Sequence, residues 1–412
     1  MSPLAALRRM HEIAGAPLLI ASFLARLPMS MALIGVLTLV TTETGSVAAG
    51  GLASGALALG EALGGPVIAR FADRLGQRPV VLLASLVEAV LLGALVAAVT
   101  AGWATAPLIG LCALAGLAMP QIGPLARARW ISIATRSPDR DRSVSAALSV
   151  DGVLDETGFV VGPAVVGVLA VVASPAAGVV GAAVLVGVFG TAFAVHRSAL
   201  PGTRPDPHSD RLWRVGLLVL AVPMLCQGAF FGGATAGVTA FSQQLGRPDL
   251  AGLMYAVMGV TSAVAGLLMA SVPPSVGLAS RLRMAAGALT LLSAGLIVAS
   301  GTWGLLAAML LLGCAIGPHV VTIFSLIERA APAARLAQAM TVMLSFLILG
   351  QSAGSSVAGT LAERFGPQGA FALTTAAAAI ALIGSVALVR SRWYAPRPVP
   401  GPPAPVEPVH TS

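Results

Sequence analysis

Long apolar runs alternate with short polar connections along all 412 residues of this chain. About 20 apolar residues are needed to cross a bilayer as an α-helix. Twelve such spans are read at about 17–41, 47–69, 79–101, 106–130, 143–172, 175–196, 212–240, 249–272, 282–300, 303–327, 335–361 and 367–389. The pattern predicts an all-α, polytopic membrane protein with twelve transmembrane helices.

Composition agrees. Hydrophobic residues make up 57% of the chain and charged residues 10%, more apolar surface than a soluble domain can bury. The sequence has arginine but no lysine. Connections after even-numbered spans, together with both ends, carry 21 arginines; those after odd-numbered spans carry only Arg247 and Arg364. The positive-inside rule then places both termini in the cytoplasm. The same asymmetry explains the net charge of +8 without a nucleic-acid partner. The polar residues before the first span, Arg8, Arg9, His11 and Glu12, lack the cleavage site of a signal peptide. Cys112, Cys226 and Cys314 lie far apart within spans. They read as small apolar residues, not disulfides or metal ligands.

One proline-rich polar segment, 197–211, interrupts the middle of the chain. It divides the chain into an N-terminal bundle, 1–196, a cytoplasmic linker, 197–211, and a C-terminal bundle, 212–390. A proline-rich tail at 391–412 is expected to be solvated and disordered. An internal repeat supports the division. Gly158, Gly162 and Gly167 share the spacing of Gly350, Gly354 and Gly359. The fifth span thereby overlays the eleventh, and the packing is repeated without the charge.

The fifth span carries the costliest chemistry: Asp151, Asp155 and Glu156. At about 2.5–3.5 kcal/mol each, three unpaired ionised acids would cost on the order of 8–10 kcal/mol. Helical periodicity puts Asp151, Asp155, Gly158 and Gly162 on one face, with Glu156 and Pro163 turned about 100° away. At about 1.5 Å per residue, Arg26, Glu61, Glu88 and Asp151 lie about 12–14 Å from their cytoplasmic span ends. Asp155 and Glu156 lie at about 18 and 20 Å by the same rise. Arg26 stays charged and needs a counter-charge in that layer, so it is expected to pair with an acid of the fifth or second span. Arg26, Glu61, Asp151, Asp155 and Glu156 form the candidate proton-coupling network. Asp155 or Glu156 is the expected exchanging group, because desolvation favours its protonated form and a nearby arginine opposes it. Glu88 reads as a weaker member, on a peripheral span. Gln227, Gln243, Gln244, His319 and Gln351 are polar positions of the second half able to meet a substrate. Gln227 and His319 are the substrate-lining candidates, and Phe230 and Phe231 suit an apolar lining.

The connection Gly65-Pro-Val-Ile-Ala69-Arg70-Phe-Ala-Asp73-Arg74-Leu-Gly76-Gln-Arg78 resembles motif A of the major facilitator superfamily. Ala69 and Gln77 depart from its pattern. The fifth span resembles that superfamily's antiporter motif C at Gly158, Gly162, Pro163 and Gly167, with departures at Ser149 and Val166. The Ala25-Arg26-Leu27-Pro28-Met29 stretch is similar to a sequence in many bacterial members. The resemblance extends over about 10–390. It implies two pseudo-symmetric six-helix bundles that rock around a central cavity lined by spans one, four, seven and ten. It also implies a gating loop at Gly65, Asp73, Arg74, Gly76 and Arg78, with Asp73 meeting the start of the eleventh span near Pro332.

The expected function is therefore secondary active transport by alternating access: a proton-coupled exporter of small organic or amphipathic molecules. The alternative is a proton-coupled importer of a small polar nutrient. A multispan enzyme or a non-transporting sensor is more remote. No His-Glu-x-x-His, Gly-x-Ser-x-Gly or phosphate-binding glycine loop is present, and the five histidines are scattered. No cofactor or metal is expected beyond the proton gradient as energy source. The expected setting is a monomer in the lipid bilayer of the bacterial cytoplasmic membrane, with protons and a small molecule as its partners.

Overall fold

A computed structural model describes residues 3–202, 215–247, 250–269, 272–273, 275–330 and 336–390. Among them lie twelve helical spans long and apolar enough to cross a membrane. A short helix, α1 (Pro3–Ala14), comes first. The first span is α2 (Ala16–Leu24) and α3 (Leu27–Thr44); the second and third are α4 (Val47–Leu75) and α5 (Gln77–Thr100). The fourth is α6 (Thr105–Ala118) and α7 (Ile122–Ala134), and the fifth is α8 (Arg140–Val172). The sixth joins α9 (Pro175–Leu185) to α10 (Thr191–Val195) through a π-helical turn, Val186–Gly190. The second half contains α11 (Val215–Gln244), α12 (Ala251–Leu268), α13 (Leu278–Val298), α14 (Gly301–Ala330), α15 (Leu336–Phe365) and α16 (Pro367–Arg390). Much of the linker, 203–214, and the tail, 391–412, fall outside the described residues.

Local chemistry sets the ends. Gly45 closes α3 at φ 71°, a conformation an L side chain resists. Ser46 then caps α4 by accepting from the Ala49 amide at 3.0 Å. Pro120 has no amide hydrogen to give, and the fourth span breaks at Met119–Pro120–Gln121. The fourth span read at about 106–130 is thus one crossing made of two helices. The first span breaks at Ala25–Arg26, just before Pro28. Bulky apolar side chains such as Leu83, Val90, Leu291 and Trp303 point outward, as a lipid-facing surface requires.

Small residues let the helices meet. Lipid gives helices no hydrophobic drive to associate, so close backbone packing carries the contact. The two glycine triads make equivalent contacts. A Cβ on Gly162 would run into Ser30 and the Met31 amide of the first span; on Gly354 it would meet the Ala229 backbone of the seventh. The third glycine of each triad faces the opposite half. Gly167 packs against Gly252 and Leu253 of the eighth span, and Gly359 against Val47, Ala48 and Gly51 of the second. The repeated spacing is thus a repeated pair of interfaces, and the chain forms two pseudo-symmetric six-helix bundles joined along these seams.

The seams close on the arginine-poor side. Gln243 Nε2 donates to the Thr41 carbonyl at 3.2 Å, and Ser352 Oγ to the Gly55 carbonyl at 2.6 Å. Glu363 accepts from Ser46 Oγ and, at 3.0 Å, from the Ala48 amide. Gly228 of the seventh span is a sensitive point: an added Cβ would lie 2.6 Å from the Gln351 amide nitrogen and 2.8 Å from the Leu347 carbonyl carbon. Gly228→Val is expected to cost about 1–3 kcal/mol or more, the range for overpacking, and to lower the melting temperature of the purified protein. Gly93→Ala, where a Cβ meets nothing within 4 Å, should leave it within a degree or two.

Candidate functional site

The breaks in the first and fourth spans lie beside the acids of the fifth. Arg26 occupies the break of the first span as the residue before α3. Its guanidinium ion-pairs with Asp151 through Nη2 and with Asp155 through Nη1, the latter at 3.2 Å. Nη1 also donates to the Asp151 carbonyl at 3.2 Å, and Nη2 to the Gly123 carbonyl at 3.4 Å, one turn past the break in the fourth span. Arg127 of α7 closes the cluster: Nε reaches Asp151 at 2.5 Å and Nη2 reaches Asp155 at 3.2 Å. Two fixed cations thus face two carboxylates. Asp151 and Asp155 share one face of α8, as their four-residue spacing dictates.

Burial divides the cluster. The Arg26 and Asp151 side chains are 5% and 1% exposed; those of Arg127 and Asp155 are 33% and 34% exposed. The inner pair is thus sealed and the outer pair accessible; a charged group open to lipid would be penalised. Glu156 lies in α8, but its side chain is outside the described residues.

Glu61 is not brought into this cluster. It is fully buried in α4, where one carboxyl oxygen accepts from Gln121 Nε2 at 3.3 Å. Glu88 is also fully buried, and neither of its carboxyl oxygens has a hydrogen-bond partner among the described residues. Its span shows Leu83 and Val90 to the outside, while Glu88 itself packs inward against other helices. In the second half His319 Nδ1 and Gln227 Oε1 sit 2.6 Å apart, both side chains buried. They pair with each other and do not line an open surface. Phe230 is core packing, edge-on to Phe231 at 5.8 Å. Gln243 belongs to the closed seam described above.

The loop residues are also located. Asp73 and Arg74 are exposed in the last turn of α4, and Gly76 turns the chain at φ 92°. Pro332, the expected neighbour of Asp73, lies outside the described residues. The start of the linker packs here instead. The Gln77 amide donates to the Leu200 carbonyl at 3.0 Å, and Arg78 to the Val195 carbonyl at 3.2 Å.

Sequence reading missed Arg127 and Arg129, counting both as loop charges. Arg129 is fully buried, donates to Gln77 Oε1 at 2.6 Å and to the Phe193 carbonyl at 2.5 Å, and stacks 3.6 Å over the Phe193 ring. The signal was present: Trp130, Ile131, Ile133 and Ala134 continue the apolar run beyond both arginines. The remaining arginines keep the loop asymmetry intact.

Comparison with known proteins agrees with this architecture. The family model described as Major Facilitator Superfamily matches residues 18–347. No curated protein matches the chain. Among solved structures, a variant of the nucleoside transporter NupG superposes with a TM-score of 0.72 at 15% identity, covering 90% of this chain and 98% of its own. A peptide transporter POT with sulfate gives 0.64 at 14% identity, covering 90% and 93%. The human organic anion transporter MFSD10 (TETRAN) gives 0.62 at 18% identity, covering 92% and 99%. At these identities the likeness is one of fold. With its family model spanning most of its length and its twelve helices arranged as in these transporters, the chain belongs to the Major Facilitator Superfamily.

Proposed function

We propose that this protein is a proton-coupled secondary exporter of small organic or amphipathic molecules, working by alternating access. The observation that carries the coupling is the Arg26–Asp151–Asp155–Arg127 cluster, buried on one side and open on the other. A substrate or a proton arriving at Asp155 competes with its two arginines. The seam closed on the arginine-poor side supports access from the arginine-rich side, which is cytoplasmic under the positive-inside reading. That state accepts an export substrate from inside. The partial motif C at Gly158, Gly162, Pro163 and Gly167 supports the antiport direction. The nucleoside, peptide and organic anion transporters of similar fold differ too much in substrate to choose one for this chain.

The test is direction. In everted vesicles an imposed proton gradient, acid inside, should drive a screened amphipathic compound inward. Uptake only in right-side-out vesicles would establish the importer reading instead. Asp155→Asn and Glu156→Gln are each expected to weaken pH-driven transport, and the variant that abolishes it identifies the exchanging acid. Full proton coupling in both would sink the reading.

Removing one partner of a buried pair is more damaging than removing both. Arg26→Met should therefore cost up to about 3–5 kcal/mol by leaving Arg127 alone to answer both Asp151 and Asp155, seen as lost membrane yield and a lower melting temperature. Adding Asp151→Asn to that variant should restore part of the stability without restoring transport.

A further inference from the structure

We propose that Glu61 forms a hydrogen-ion binding site separate from the arginine–aspartate cluster, placed where the second, fourth and eleventh spans meet. The motive is what this carboxyl lacks. The cluster balances two acids with two arginines. Glu61 has only the neutral Gln121 amide on one oxygen, and its other oxygen is buried without a partner among the described residues. That carboxyl lines a small pocket with Gly65, Pro66 and Gln121 of the first half and Leu344, Ser345 and Ile348 of the eleventh span. The pocket therefore lies on the boundary that moves when two bundles rock.

Among the described residues the surroundings supply no counter-cation. α5 contributes Glu88, a second fully buried acid, and the arginines of α7 are committed elsewhere, Arg127 to Asp151 and Asp155 and Arg129 to Gln77 and the Phe193 carbonyl. α6 contributes only the buried Cys112. The fourth-span break contributes Gln121. α15 contributes Leu344, Ser345 and Ile348 at the pocket, none of them ionisable. α3 carries Glu43 at its far end, and Arg26 before it is committed to Asp151 and Asp155. α9, α10 and the π-helical turn packed on α5 hold no ionisable side chain. A buried carboxyl without a cation cannot be ionised cheaply in an apolar interior. A hydrogen ion on Glu61 removes that cost; opening the pocket to water permits its release.

Pro66 and the Pro120 break flank the pocket, so the helices at this point have fewer internal hydrogen bonds to hold them straight. Rocking of the eleventh span past Glu61 would hydrate or seal the carboxyl. The seam role rests on the alternating-access reading; the binding of the hydrogen ion does not.

The test is infrared difference spectroscopy of the purified protein in lipid, stepped in pH with no substrate. Wild type should show a protonated-carboxyl stretch that disappears as pH rises. Glu61→Gln should remove or shift that band, and Glu61→Gln with Glu88→Gln should abolish it. Asp151→Asn should retain it. Glu61→Asp is the conservative variant and should keep a titrating band, which separates lost chemistry from lost folding. A band untouched in a folded Glu61→Gln/Glu88→Gln protein would overturn the proposal. Loss of the band on adding sodium at fixed pH would also overturn it, by assigning the site to a metal cation. Transport that moves no protons would sink the coupling reading while this band persists, so the two failures are distinguishable.

Discussion

A guanidinium that cannot shed its charge has to be answered inside the membrane. Arg26 is 5% exposed and meets Asp151, which is 1% exposed; neither is tolerable alone. Much of the first bundle follows from this. The first span breaks at Arg26, which donates to the carbonyls of Asp151 and Gly123. The fourth span breaks at Pro120, and Gly123 and Arg127 follow within two turns. Broken helices expose backbone groups, and these are tolerable in a membrane only where other protein groups or water satisfy them. The breaks bring the guanidinium of the first span and Arg127 of the fourth to the same two acids of the fifth.

Packing obeys a different constraint, and it is shared by the two bundles while the charge is not. Each glycine triad brings its helix against the first or seventh span, then against the opposite bundle. Such contacts bring the glycine backbone against the backbone or small side chains of the neighbouring helix. They depend on two surfaces remaining registered, because van der Waals packing, without a hydrophobic drive, holds them. Hydrogen bonds at Thr41, Gly55 and Ala48 strengthen the seam on the arginine-poor side. The small pocket at Glu61 interrupts it further along. A rigid bundle with an interruptible seam is what alternating access requires mechanically.

The spans were legible because twenty apolar residues have few alternatives to a helix across a bilayer. The Asp151–Asp155 face was legible from periodicity, and the requirement for an acid opposite Arg26 from the permanence of its charge. Which acid it would be was not: Glu61 and Asp151 lie at similar depths, and depth carries no azimuth. Arg127 was missed because an arginine near a predicted span end looks like a topology signal. The continuing apolar run after it, together with the break that Pro120 imposes, would have placed it inside. The depth of Glu88's burial was not legible, since a span's expected position in the bundle says little about which way one of its side chains turns.

In the coupling proposed above, these two acid groups divide the work. Asp151 and Asp155 are held by cations, so on that reading they exchange when something displaces an arginine, and their chemistry is tied to substrate arrival. Glu61 has no cation to displace among the described residues, and on the same reading its exchange is governed by water reaching a pocket bounded by the eleventh span. One group would then respond to occupancy and the other to the position of the bundles. A coupled carrier needs both kinds of information, because a proton released before the substrate arrives, or before the seam moves, dissipates the gradient. The proposal thereby gives the asymmetry of the repeat a physical basis: the first bundle would carry the exchanging charges, and the second the uncharged surface that opens or seals them.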